Sequence, residues 1–225
     1  MNPKRSVIAT LAVASLCWVA LSSLAASPAQ AYKWMIEGST VASGSSENIS
    51  IALEKSTTAV FHGKVLGKAI TITATGLNAG AGTKISQLNN EARTSGTLEL
   101  TGVTVDEPFG CTIKNNKITT FNLVAEVREV DKTIFNHWAP ETGTTLANVV
   151  VEGCGVAGTY PLNGAIYSTV ESPKFEAVSQ LQQFSKEIQE AATGSLTLGS
   201  EPADLTMRAY SSLSGANSGK KWGYE

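Results

Sequence analysis

The sequence predicts an all-β fold, mainly antiparallel, of the β-sandwich or jelly-roll-like kind, with one short helix around residues 174–192. Three observations predict it. Apolar residues recur at every second position in short, β-branched runs. Gly, Asn and Pro turn signals separate those runs. Charged residues make up only 16% of the chain, against about a quarter in ordinary globular proteins, and Ser, Thr and Gly take their place.

Along the chain, Asn48 to Leu53 sets Ile49, Ile51 and Leu53 on one face against Ser50 and Ala52. Lys68 to Thr75 sets Ile70, Ile72 and Ala74 against Thr71, Thr73 and Thr75. Thr97 to Val105 carries Leu98 and Leu100, a break at Gly102, then Val103 and Val105. Ile118 to Val127 reads as one run with Phe121, Leu123, Ala125 and Val127 on the buried side. Val149 to Glu152, Ala165 to Val170, Ser195 to Leu198 and Leu205 to Leu213 continue the pattern. Gly76 to Gly82 and Asn115-Asn116-Lys117 read as turns, and the polar stretch Thr83 to Arg93 as a loop.

Residues 173–192 dispute a purely β reading. Phe175, Val178, Leu181, Phe184, Ile188 and Ala191 recur at spacings of three and four, with Pro173 near the start and Gly194 as a stop. Gln182 to Ile188 also fits an extended strand, so helix and strand both stay open. No clean repeat or low-complexity linker interrupts the chain, and residues 32–225 are expected to form a single β-rich domain.

Residues 1–31 read as a cleavable signal peptide. Lys4 and Arg5 form a basic start, Val7 to Ala26 an uncharged apolar core, and Ala29-Gln30-Ala31 a small-residue cleavage site just after the helix breaker Pro28. A membrane anchor is the rival, since the uncharged run is long enough to span. The cleavage site and the lack of a basic cluster after it argue for removal, with Tyr32 as the first mature residue. The expected location is therefore secreted or cell envelope, with membrane contact only through the signal peptide.

Cleavage removes Cys17 and leaves Cys111 and Cys154. An even pair in an oxidising compartment reads as one disulfide. A metal site would need more ligands than this chain offers: there is no C-x-x-C motif, and only two histidines are present. No metal and no cofactor are expected. A mildly acidic chain without a Lys/Arg cluster argues against nucleic acid and anionic lipid as partners.

A frame of motifs spans most of residues 32–225: Trp34 followed by Gly38, Gly110 to Ile113 (Gly-Cys-Thr-Ile), Gly158 to Gly164 (Gly-Thr-Tyr-Pro-Leu-Asn-Gly), and the closing stretch from Leu196 to Gly223. In this it resembles a loose group of exported, β-rich, functionally uncharacterised bacterial proteins of actinobacterial type. The resemblance implies that Phe175 to Ile188 is partly extended. It supplies no activity and no catalytic residue.

Of the two histidines, His137 lies in a loop-like segment, Phe135-Asn136-His137-Trp138-Ala139-Pro140. A serine hydrolase needs a nucleophile on a sharp turn, and no G-x-S-x-G string is present. A glycosidase needs two facing carboxylates, and nothing in the spacing of Asp106, Glu107, Glu126, Glu129 and Asp131 selects a pair. No catalytic residue is assigned. Trp34 and Trp222 are expected to pin the ends to the core. Trp138, beside His137, is the expected ligand contact, since a flat ring stacks on a sugar face. The leading expectation is a non-catalytic exported β-sandwich acting outside the cell or in the cell envelope as a binding or structural module of unspecified role, with cell-wall or polysaccharide material, or the protein itself, as partner. The alternatives are a secreted hydrolase using His137 and a self-assembling surface subunit.

Overall fold

The computed structural model describes residues 32–89, 91–170 and 177–225. The signal-peptide reading of residues 1–31, with Cys17, and the helix start at Pro173 and Phe175 lie outside the described residues, as does Asn90.

The first strands are β1 (Trp34–Ile36), β2 (Ser39–Thr40), β3 (Ser46–Leu53), β4 (Ala59–Val65), β5 (Lys68–Ala79), β6 (Lys84–Leu88) and β7 (Glu91–Gly96). There follow β8 (Leu98–Glu107), β9 (Thr112–Ile113), β10 (Lys117–Thr119), β11 (Leu123–Val130), β12 (Thr133–Pro140) and β13 (Thr145–Glu152). The remainder comprises β14 (Gly158–Gly164), β15 (Ile166–Val170), β16 (Ser179–Phe184), α1 (Lys186–Ala191), β17 (Leu196–Leu198), β18 (Glu201–Pro202), β19 (Asp204–Leu213) and β20 (Trp222–Tyr224). The all-β, antiparallel expectation holds.

Eight strands close on themselves. Following hydrogen-bonded neighbours, β7 leads to β11, β12, β15, β16, β19, β3, β6 and back to β7. This is an antiparallel barrel, and closure leaves none of its strands as a free edge. The sandwich part of the expectation is met beside it. One sheet runs β10-β8-β5-β4-β19 and a second runs β18-β17-β14-β13-β9. Ile72 and Phe61 of the first face Val149 and Leu162 of the second around one small apolar cavity. Strand β19 serves both parts: Asp204 to Thr206 pair with β4, and Ala209 to Leu213 with β3. One connected cluster of buried side chains runs through barrel and sandwich.

The barrel interior is polar at one level. Ser168 Oγ donates to Gln182 Oε1 at 3.1 Å, and Gln182 Nε2 donates to Ser211 Oγ at 2.9 Å, a belt across three strands. The terminal strands β1 and β20 pair with each other, Trp34 opposite Tyr224. Their rings gather over this interior, with Trp34 and Trp222 5.4 Å apart. Trp34 N–H donates to the buried Gln87 side chain at 2.9 Å, and Trp34 Nε1–H to the Arg93 carbonyl at 3.0 Å.

Three local expectations are corrected and one left open is decided. Thr83 to Arg93 is not a loop; its described residues hold β6 and the start of β7, two strands that pair as a hairpin. Its buried positions alternate as Ile85, Gln87, Ala92 and Thr94, so half of the buried face is polar and the hydrophobic signal is lost. Gly76 to Ala79 belong to β5, and only Gly80 to Gly82 turn. Ile118 to Val127 is two strands, because the chain leaves the sandwich after β10 and enters the barrel at β11. Phe121, in the crossing, is 51% exposed instead of buried. In the disputed window, among the described residues, 179–184 are strand and Lys186–Ala191 alone are helical, capped by the Ser185 hydroxyl, which accepts from Ile188 N–H at 3.3 Å. The extended conformation implied by the resemblance is present there.

Candidate functional site

Strand β4 alternates between core and solvent: Ala59, Phe61 and Val65 are buried, while His62 and Lys64 face outward on one side. Its neighbour β19 begins with Asp204 directly opposite His62. The pair is joined, His62 Nδ1 lying 3.2 Å from Asp204 Oδ1. The His62 side chain is 55% exposed and that of Asp204 27%.

This pair lies in the wall of a groove of about 410 Å³. Helix α1 contributes Lys186, Gln189 and Glu190, and the strand that follows brings Ser195, Leu196 and Thr197. Lys186 and Glu190 pair with each other at 3.8 Å. Lys64 has no ion-pair or hydrogen-bond partner among the described residues. Gln189 fixes the helix to the barrel wall. Among the described residues, strand β15 meets β16 through Thr169 and Val170 alone, which leaves backbone polar groups upstream of them. The Gln189 amide takes these, accepting from Tyr167 N–H at 3.0 Å and donating to the Ala165 carbonyl. A side chain thus completes the missing strand pairing, because buried backbone groups left unpaired are costly.

The residues expected to form the site lie elsewhere. His137 is in β12, not in a loop, and consecutive residues of a strand point to opposite faces. Trp138 therefore projects into the barrel, 3% exposed, with no hydrogen-bond partner for its Nε1–H among the described residues. It offers no surface ring for a sugar to stack on. His137 projects outward against the Tyr167 ring, 4.8 Å away. Glu126 sits opposite His137 in register but is held by Arg93 and Arg128, each at 3.3 Å. The structure does not bring His137 and Trp138 together. It brings together His62 and Asp204, 142 positions apart in sequence, and no local motif marks such a pair.

Burial, with the nearby Arg128 charge, pushes the His137 pKa down from 6.5 to about 4, against a smaller opposing pull from Glu126. Above the unfolded value the ring is neutral in both states and adds no pH dependence. As pH falls toward the folded value, the unfolded chain takes up a proton that the folded one does not, and stability is lost. His137→Gln is expected to flatten the decline of the urea midpoint between pH 6.5 and about 4. Equal slopes in the two proteins would show that another group causes the decline.

Cys111 and Cys154 stand at disulfide distance, with Cα atoms 4.9 Å apart, as the cysteine count leads one to expect. Such a bridge is compatible with an extracellular protein. Among the described residues no helix is long and apolar enough to cross a membrane, and no group of His, Cys, Asp and Glu is arranged to hold a metal ion. No family model, no curated protein and no solved structure matches this chain.

Proposed function

We propose that the protein is exported by a cleaved signal peptide and acts outside the cell or in the cell envelope as a binding module for wall or polysaccharide material. The observation that carries this reading is the groove beside His62. It sets donors (Lys64, Lys186), acceptors (Asp204, Glu190) and hydroxyls (Ser195, Thr197) around the apolar Leu196, Pro202 and Ala203. A few converging polar groups over an apolar floor suit a ligand rich in hydroxyls with apolar ring faces. The disulfide supports the extracellular setting. The sequence resemblance to exported actinobacterial-type proteins fits the same picture. Strand-edge self-assembly finds less support, since the sandwich sheets end on the short strands β10, β18 and β9.

Co-sedimentation with insoluble cell-wall polysaccharide, at low and high salt, tests the reading. The wild-type protein is expected to pellet at both salts. Ser195→Trp, which fills the groove from an exposed position, should leave most of the protein in the supernatant, and Trp138→Phe should pellet as wild type. Pelleting that survives Ser195→Trp would place binding elsewhere, and no pelleting at all would remove the polysaccharide reading.

A further inference from the structure

We infer that the groove is also a hydrolytic site, in which His62 is the general base for attack of water on an ester carried by the bound ligand. The inference rests on the reading that the ligand lies in this groove. Three features carry it. Asp204 engages His62 Nδ1, which sets the ring tautomer and leaves Nε2 to take a proton. His62 Nε2 has no hydrogen-bond partner among the described residues. Lys64 lies two positions along β4 on the same outward face, an uncommitted ammonium lining the same groove and suited to a developing oxyanion.

The pair is held by strand register, because Asp204 and His62 are directly opposed on hydrogen-bonded neighbours. Rigid placement of base and orienting carboxylate is what general-base catalysis requires. An ester suits the groove better than a glycosidic bond. Glycoside cleavage needs two available carboxylates, whereas Asp204 is engaged by His62 and Glu190 by Lys186.

The step balances without a further reactant. Water gives a proton to His62 Nε2 as its oxygen bonds to the ester carbonyl carbon. The tetrahedral oxyanion is stabilised by Lys64. The bond from carbonyl carbon to alkoxy oxygen then breaks, and the leaving oxygen takes the proton from His62, giving an alcohol and a carboxylic acid. His62 is the catalytic residue, and Asp204 is a positioning residue that acts through it.

The test uses the full protein and two probes, 4-nitrophenyl acetate and O-acetylated xylan, with release of 4-nitrophenol or acetate as readout. Saturable hydrolysis is expected. His62→Gln should lower kcat by about 100-fold or more, while His137→Gln, on the barrel wall, should match wild type. Asp204→Asn should lower kcat with KM nearly unchanged, and Asp204→Glu should recover part of it. Lys64→Met should lower kcat, and Lys64→Arg should restore it. Equal rates in wild type and His62→Gln, both folded by circular dichroism, would overturn the inference. So would an absence of hydrolysis on both probes. The polysaccharide reading fails separately: pelleting without hydrolysis leaves it standing and sinks only the hydrolytic inference, and hydrolysis without pelleting does the reverse.

Discussion

Replacing Cys111 and Cys154 together by alanine is expected to lower the unfolding free energy by about 4 kcal/mol. The bridge closes a loop of sequence separation 43, and the loss is the chain freedom returned to the unfolded state. Local structure gives little in compensation. Strand β9 is two residues long and meets β13 only through Ile113 with Val151 and Thr112 with Glu152. The segment before β9 carries Phe109, 99% exposed, so that segment has little burial of its own to hold it. Urea titration reads the effect directly. The midpoint should fall in the double variant, and reduced wild type should fall with it. A midpoint within error of the oxidised protein would mean that residual structure already constrains this loop in the unfolded chain.

A comparable loss is expected from a single methyl group at Gly164. This residue ends β14 opposite Leu196 with φ at 111°, in the range that favours glycine. A Cβ there would overlap the carbonyl oxygen of Ser195, with the Ser195 carbonyl carbon at 3.1 Å and Leu196 Cα at 3.4 Å. All three are backbone atoms, so no side chain can rotate away and the two strands must part. Strain and overpacking together put the cost of Gly164→Ala at about 3–5 kcal/mol. Gly67→Ala is the control: its φ is 74°, but nothing lies within 4 Å of the added methyl. It should cost about 1 kcal/mol, for backbone conformation alone. Because Ser195 and Leu196 line the groove, the proposed function adds that Gly164→Ala should weaken polysaccharide pelleting at temperatures where it remains folded. Equal urea midpoints for the two variants would show that β14 and β17 can separate without cost.

What was legible in the sequence was the sandwich. Its strands carry Ile70, Ile72, Ala74, Leu98, Leu100 and Val103 toward a dry core, where hydrophobic alternation and burial coincide. The barrel was less legible because burial and hydrophobicity diverge in it. Gln87, Thr94, Ser168, Gln182 and Ser211 are buried polar residues, so β6 and β7 read as loop and barrel closure left no trace in the periodicity. The same alternation bears on the candidate residues. His137 and Trp138 are adjacent in sequence and therefore on opposite sides of a wall. His62 and Asp204 are far apart in sequence and meet only through the register of β4 with β19. Register is set by every strand laid down between them, and spacing within a sequence does not carry it.

The pairing of β1 with β20 also orders events in time. Trp34 is made early and Tyr224 late, and Lys221 N–H reaches the Glu37 carboxylate 184 positions back. Until β20 emerges, the Trp34 and Tyr32 rings lack the Trp222 and Tyr224 rings against which they pack. Contacts of such long sequence separation form slowly, because the intervening chain must be ordered before they are rewarded. Under the proposed export, a chain threaded from its amino end would reach the far side with its first strand waiting for its last. The fold is a finished object only once the whole chain is available, because its first strand is closed by its last.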